Sequence, residues 1–380
     1  MRDKRVAGVS MTLATVAALL WANLAAGSYR AFWTRSLAVP GLDLSAQEWV
    51  NQGLMVAFFV LVGVEIRREI AGGELRSWRK ASAPVAAALG GMAVPAVIFA
   101  VVVHGGPGAR GWGIPMATDV AFALGALALV SKGPSTRARV FLLTLAVADD
   151  IASIAILVAF YGRDLHPWSL VGAVGCLVVM VGVRASRQGS TPWLLGLGAL
   201  AWWALVHAGV EASVVGVGIG LLLAPVGGRV RSKDRSPRRA ERRRVRSLEH
   251  RLEPWVNVVV LPVFALGNVG VKIAGSGLFS GAALNVFVAV LIARVVGKPL
   301  GIATTAWIVT RSGTRHDQLH LGRRERVGVG AIAAVGFTVP LLIVHAALPA
   351  GPLAAAATCA LLAGSVLGAV TGAVVLRVPR

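Results

Sequence analysis

Apolar runs about as long as a bilayer is thick recur from one end of this 380-residue chain to the other. A helix needs about 20 apolar residues to cross a hydrocarbon core of roughly 30 Å. Such runs are longer and more evenly apolar than the stripe a helix presents to the core of a soluble domain. They also lack the two-residue alternation of a membrane barrel strand. Composition agrees: 56% of residues are hydrophobic and only 14% charged, against roughly 45–50% and about 25% in soluble domains. The sequence therefore predicts an all-α polytopic membrane protein.

Twelve candidate spans can be marked, at about 7–26, 47–70, 82–103, 113–131, 139–161, 168–184, 192–206, 208–226, 254–272, 281–309, 327–347 and 354–376. The first resembles a secretory leader, with its basic head and apolar run, but is kept as a span because its removal would leave an odd number. Net charge is +21, and its placement identifies it as an orientation signal. With the N-terminus inside, 31 of the 38 Lys and Arg residues fall on that side and five on the other. That bias predicts cytoplasmic termini. Short loops make residues 1–380 a single transmembrane domain. The longest polar stretch, residues 227–253, is expected to be a basic cytoplasmic loop facing anionic lipid. Nucleic acid is excluded as a partner, since no reading module accompanies the charge. Cys176 and Cys359 lie inside apolar runs and imply no disulfide framework.

Ionisable residues inside spans usually mark ion or proton pathways. Segment five, FLLTLAVADDIASIAILVAFY, carries Asp149 and Asp150 side by side. Neighbours on a helix point about 100° apart, so one carboxylate can face a cavity while the other faces a partner helix. Buried together, the two should titrate as a coupled unit able to exchange protons for a small cation. Segment ten carries Arg294 and Lys298, and the lysine is taken as the counter-charge. A buried Asp–Lys pair is costly to desolvate and easily tipped by a nearby change of charge.

Segments four and eleven share a second feature. Gly111, Gly113 and Pro115 precede Thr118 and Asp119 in the former, and Gly336 and Pro340 lie at mid-depth in the latter. Interruptions at matching places in two halves of a chain point to a site built from broken helices. The freed backbone is tolerated only where protein or a water-filled cavity satisfies it. Asp119 could neutralise the positive helix ends and a lysine the negative ones.

These residues resemble the NhaA-type bacterial sodium/proton antiporters over nearly the whole chain. The resemblance rests on FFVLVGVEIRREI (58–70), IPMATDVAFALGALAL (114–129), FLLTLAVADDIASI (141–154), EPWVNVVVLPVFALGNVGV (253–271), GKPLGI (297–302) and GVGAIAAVGFT (328–338). It implies about twelve transmembrane helices, with segments three to five and ten to twelve forming an inverted repeat in which segments four and eleven are broken and cross. It also implies a bacterial inner-membrane location.

By the same resemblance, Asp150 is the principal ligand of the transported sodium or lithium. Asp149 is its partner in cation and proton binding and pairs with Lys298. Thr118 and Asp119 stand beside the site, Asp119 sharing the charge compensation with Lys298. Glu65, Arg68, Glu69, Glu249 and His250 match a cluster tied to pH activation, and Glu253 extends it. The chain departs from the family pattern at Gln52, at Glu253, at Glu211 in GVEAS, at Pro340 and at His345. His207 and Glu211, four residues apart, either pair on one helical face or lie in water at the outer rim.

The expected activity is exchange of cytoplasmic sodium or lithium for external protons, pH-regulated and electrogenic, by competition at the aspartate pair. A sodium-coupled symporter or a channel of related fold is the alternative, and a non-transporting scaffold a more distant one. No enzyme activity or cofactor is expected. The candidate partners are the ions, membrane lipid (anionic lipid at the basic loop included) and a second copy of the chain.

Overall fold

The structure is a computed structural model that describes residues 2–72, 75, 78–130, 136–162, 166–185, 191–223, 237–273, 277–278, 280–311 and 321–377. Among these residues it is all-helical, with β pairing confined to isolated bridges in the 36–45 turn. Six helices are long and apolar enough to cross a membrane, and two bent pairs bring the number to eight. In chain order the elements begin with α1 (Arg2–Leu24), which turns by 116° into the short α2 (Ala26–Trp33). Span α3 (Ala46–Ile70) follows, with a π-helical stretch at Trp49–Leu54. Next come α4 (Trp78–Val103), α5 (Val120–Val130), α6 (Thr136–Phe160), α7 (Pro167–Ala185), α8 (Thr191–His207) and α9 (Val215–Leu223).

The second half opens with α10 (Pro237–Trp255), which runs through a π turn into α11 (Leu261–Asn268). Thus much of the expected basic loop is helical. Its residues 227–236 lie outside the described residues. Span α12 (Gly281–Arg311) contains a second π turn at Ala293–Gly297. The helices α13 (Arg323–Ala333) and α14 (Thr338–Ala347) meet at 51° across a four-residue break, and α15 (Pro352–Arg377) closes the chain.

Length and apolarity alone do not give twelve crossings among the described residues. The segment expected at 113–131 is α-helical only over α5, because a 3-10 turn at Ala109–Gly113 and a non-helical stretch precede it. The segments expected at 192–206 and 208–226 are shorter apolar helices. Between them the chain leaves helical geometry at Gly209, whose φ of +72° falls in the left-handed region glycine tolerates. That break separates His207 from Glu211, so of the two readings the pair on one helical face does not form. His207 packs its ring at a tilt against Trp203 and hydrogen-bonds the Trp203 carbonyl at 2.9 Å, while Glu211 accepts from Ser213 at 2.8 Å.

The most extensive packing brings α12 against α4 and α9 against α3. Without a hydrophobic force between helices in lipid, close approach of small residues supplies the attraction. At the α4–α12 contact a Cβ on Gly301 would stand 2.7 Å from the Gly90 carbonyl carbon, so the two backbones touch. The inner layer is α6 and α14. Along α14, Thr338 through Val344 are all buried, although the element is only ten residues long. A helix apolar and buried all round sits between others and does not face lipid. The broken segment is therefore held at the centre of the bundle.

Candidate functional site

The site begins at the two breaks. Residues 117–119 are non-helical, and residues 335–337 interrupt the second broken segment. The two stretches bond to one another: the Asp119 amide donates to Val335 O at 2.9 Å, and Thr118 Oγ1 donates to Ala333 O at 3.0 Å. Ser365 of α15 fills a further gap. Its hydroxyl donates to Gly336 O at 3.0 Å and accepts from Gly336 N at 3.1 Å. Gly336 is needed here because a Cβ would run into the Arg294 guanidinium and stand 2.7 Å from Ala117 O.

Charges sort themselves around these breaks by helix polarity. Asp119, 5% exposed, accepts from the Phe122 amide in the first turn of α5 at 3.2 Å and from Thr338 Oγ1 at the start of α14 at 3.2 Å. One carboxylate thus serves two helix N-termini, where partial positive charge gathers. At the opposite polarity stands Arg294, fully buried. Its Nε and Nη2 donate to Ala334 O at 3.0 and 2.7 Å, and Nη2 also donates to Ala117 O at 3.2 Å. Its Nη1 reaches Ile114 O at 3.5 Å, the outer limit of a hydrogen bond.

Lys298 lies four residues after Arg294, at the start of regular helix beyond the π turn. Its Nζ donates to Met116 O and to Asp149 Oδ2, the latter at 2.9 Å, and both side chains are 1% exposed. The other Asp149 oxygen, Oδ1, is buried without a hydrogen-bond partner, as is Ser153 Oγ one turn along α6. Positions i and i+4 share a helix face. Two oxygen atoms without partners on one buried face call for a hydrogen-bond donor, water or a cation. Asp150, 5% exposed, stands within electrostatic reach of Asp149, Glu65, Asp119 and Lys298. Asp149, Asp150, Asp119 and Lys298 are thus brought together, and Thr118 is held in the same break.

A second group lies where α3 meets α10. Arg68 forms an ion pair with Glu249, and Glu69 and Glu249 are buried at 5% and 9% exposure. Glu65 and Glu253 are half-buried, while His250 is exposed. A third polar group joins α14 to the start of α3 and to α11. Asn51 and Asn268 exchange side-chain hydrogen bonds at 3.0 and 2.7 Å, and Gln47 Nε2 stands 3.1 Å from His345 Nε2. The unusual His345 is therefore part of a network between elements.

Sequence reasoning gave the negative helix ends to a lysine. In the structure the arginine takes most of them, and Ser365 was missed altogether. The signal for Arg294 was present: it lies one helical turn before Lys298 in an otherwise apolar segment. Nothing in the local pattern singles out Ser365.

Comparison with known proteins places these features in a family. The family model described as Na+/H+ antiporter 1 matches residues 1–376. The chain is 40% identical over 387 residues to Na(+)/H(+) antiporter NhaA 1 of Kineococcus radiotolerans, covering 99% of this chain and 88% of that one. It is 39% identical over 388 residues to Na(+)/H(+) antiporter NhaA of Mycolicibacterium smegmatis, covering 99% and 86%. To Na(+)/H(+) antiporter NhaA of Rhodospirillum rubrum it is 38% identical over 389 residues, covering 98% and 95%. With a match that spans nearly every residue, the chain belongs to the Na+/H+ antiporter 1 family, a multi-pass bacterial membrane family of sodium/proton antiporters.

Proposed function

We propose that the chain exchanges cytoplasmic sodium or lithium for external protons by competition at Asp149 and Asp150. The observation that carries this reading is the buried Lys298–Asp149 pair beside Asp150, with Asp149 Oδ1 left without a partner. A hard cation prefers oxygen ligands. Asp150 is its principal ligand, with oxygen from Asp149 and the Thr118–Asp119 break close by. Facing the cytoplasm, the deprotonated pair takes the ion and sheds most of its water. Facing outside, protons displace it, and the protonated site returns.

Lys298 couples the two halves of the exchange. When a cation enters, the lysine loses part of its claim on Asp149 and releases its proton. When the ion leaves, one proton goes to Asp150 and one returns to Lys298, whose pair with the ionised Asp149 re-forms. Two protons can then move per cation, so each cycle carries net charge. One net charge across 100 mV is worth about 2.3 kcal/mol, which lets membrane voltage drive sodium out. The site changes sides by rocking of two inverted repeats, segments three to five against ten to twelve, with segments four and eleven crossing at the centre.

The remaining charges fit this cycle. The termini and the basic 227–253 stretch face the cytoplasm, as the Lys/Arg bias implies. The Glu65, Arg68, Glu69, Glu249, His250 and Glu253 cluster lies where α10 packs on α3. There it can convert cytoplasmic pH into a small shift of α3, the element carrying Glu65 toward Asp150. In proteoliposomes preset with a pH gradient and free of organic solute, added sodium should collapse the gradient. The Asp150→Asn protein should leave it intact. Normal exchange by Asp150→Asn rejects the reading, and a sodium response that needs a co-transported solute selects the symporter.

A further inference from the structure

The breaks at 117–119 and 334–337 leave backbone carbonyls with no helical partner at the centre of the bundle. The last carbonyls of a helix are unpaired by construction, and in a membrane interior they must be satisfied by protein or confined water. Arg294 answers two of them at once, Ala334 O at the C-cap of α13 and Ala117 O ahead of α5, and its Nη1 also reaches Ile114 O in the preceding turn. Lys298 reaches the neighbouring Met116 O but is also bound to Asp149.

These two duties conflict. Holding a helix end requires a fixed charge, whereas exchange requires a lysine that changes partners or protonation. A guanidinium keeps its proton at any physiological pH and presents several donors in a rigid fork, while an ammonium titrates more readily when buried. The structure separates the duties between two cations one helical turn apart. Gly336 marks how closely the fork is fitted, since any side chain there would displace it.

We propose that Arg294 is a positioning residue for ion exchange: its permanent charge clamps Ala117 and Ala334 together, keeping Thr118 and Asp119 in place while Lys298 changes state. The inference rests on the reading of Asp149 and Asp150 as the exchange site and extends it to a residue that does not touch the ion. Its consequence is a division of labour. Loss of the clamp weakens cation binding, whereas loss of the lysine alters the response to pH.

Arg294→Gln, Arg294→Lys and Asp150→Asn are purified, checked for folding by size exclusion and thermal melting, and assayed in proteoliposomes from pH 6 to 9.5. Arg294→Gln should raise the sodium KM by about tenfold or more, with a much smaller change in maximal rate. Arg294→Lys should retain exchange at pH 7 and lose it at the alkaline end, where a substituted lysine gives up the charge. If Arg294→Gln does not fold, the pH profile of Arg294→Lys decides alone. A profile that superimposes on the unmodified protein's, or a loss of equal size at every pH, overturns the proposal. Exchange by Asp150→Asn in the same vesicles would instead overturn the site assignment beneath it, so the two failures are distinguishable.

Discussion

Lys298 Nζ lies 2.9 Å from Asp149 Oδ2 at a depth where each side chain is 1% exposed. Removing one partner of such a pair strands a charge where water does not reach it, at a cost of about 3–5 kcal/mol. Lys298→Met and Asp149→Asn should therefore each lower the melting temperature of the purified protein. Replacing both partners, as in Asp149→Asn with Lys298→Met, should recover much of that loss, although the double variant lacks one carboxylate of the exchange site. Thermal melting of the two single variants and the double variant measures the coupling directly. Additive losses would show that the pair contributes no interaction.

Gly336→Ala tests the fit of the two broken segments. The added methyl would stand 2.7 Å from Ala117 O and overlap the Arg294 guanidinium, so either the fork or the backbone must move. Overpacking of this kind costs about 1–3 kcal/mol. A lowered melting temperature together with weakened sodium binding is expected. Gly125→Ala is the control, because a Cβ there meets nothing within 4 Å.

Arg68 and Glu249 join α3 to α10 with side chains 29% and 12% exposed. Glu249 is buried, so Arg68→Gln leaves its carboxylate short of a partner and should lower the melting temperature. If the pair belongs to the pH-responsive cluster, the same variant should displace the pH at which exchange reaches half its maximum. Dye-monitored proton movement in everted vesicles reads this shift. An unchanged profile would make the pair a structural tie only.

The Asn51–Asn268 exchange of amides is buried, with both residues under 8% exposed. Asn268→Ala leaves the Asn51 amide without its partner and should destabilise the protein by about 1–3 kcal/mol. Replacing both by leucine should be milder than either single change. Thermal melting in detergent distinguishes these outcomes.

Much of this protein follows from local chemistry. Runs of apolar residues specify membrane helices because a spanning segment must satisfy its own backbone within itself, and that requirement is written residue by residue. The aspartates at 149 and 150 and the lysine at 298 were legible for a related reason. Charges are so costly within apolar segments that their presence alone identifies them. Glycine and proline likewise announced the breaks near Thr118 and Gly336.

What only tertiary structure decided is where each charge goes. Arg294 and Lys298 are both cations on one face of α12, and no sequence rule divides the carbonyls of Ala117, Ala334 and Met116 between them. Ser365 is an ordinary helix serine until α15 places it against Gly336. Likewise His345 looked like an isolated oddity until α14 set it beside Gln47. The physical reason is the same throughout. A hydrophobic run is a property of consecutive residues, whereas the partner of a freed carbonyl is fixed by the packing of helices far apart in the chain.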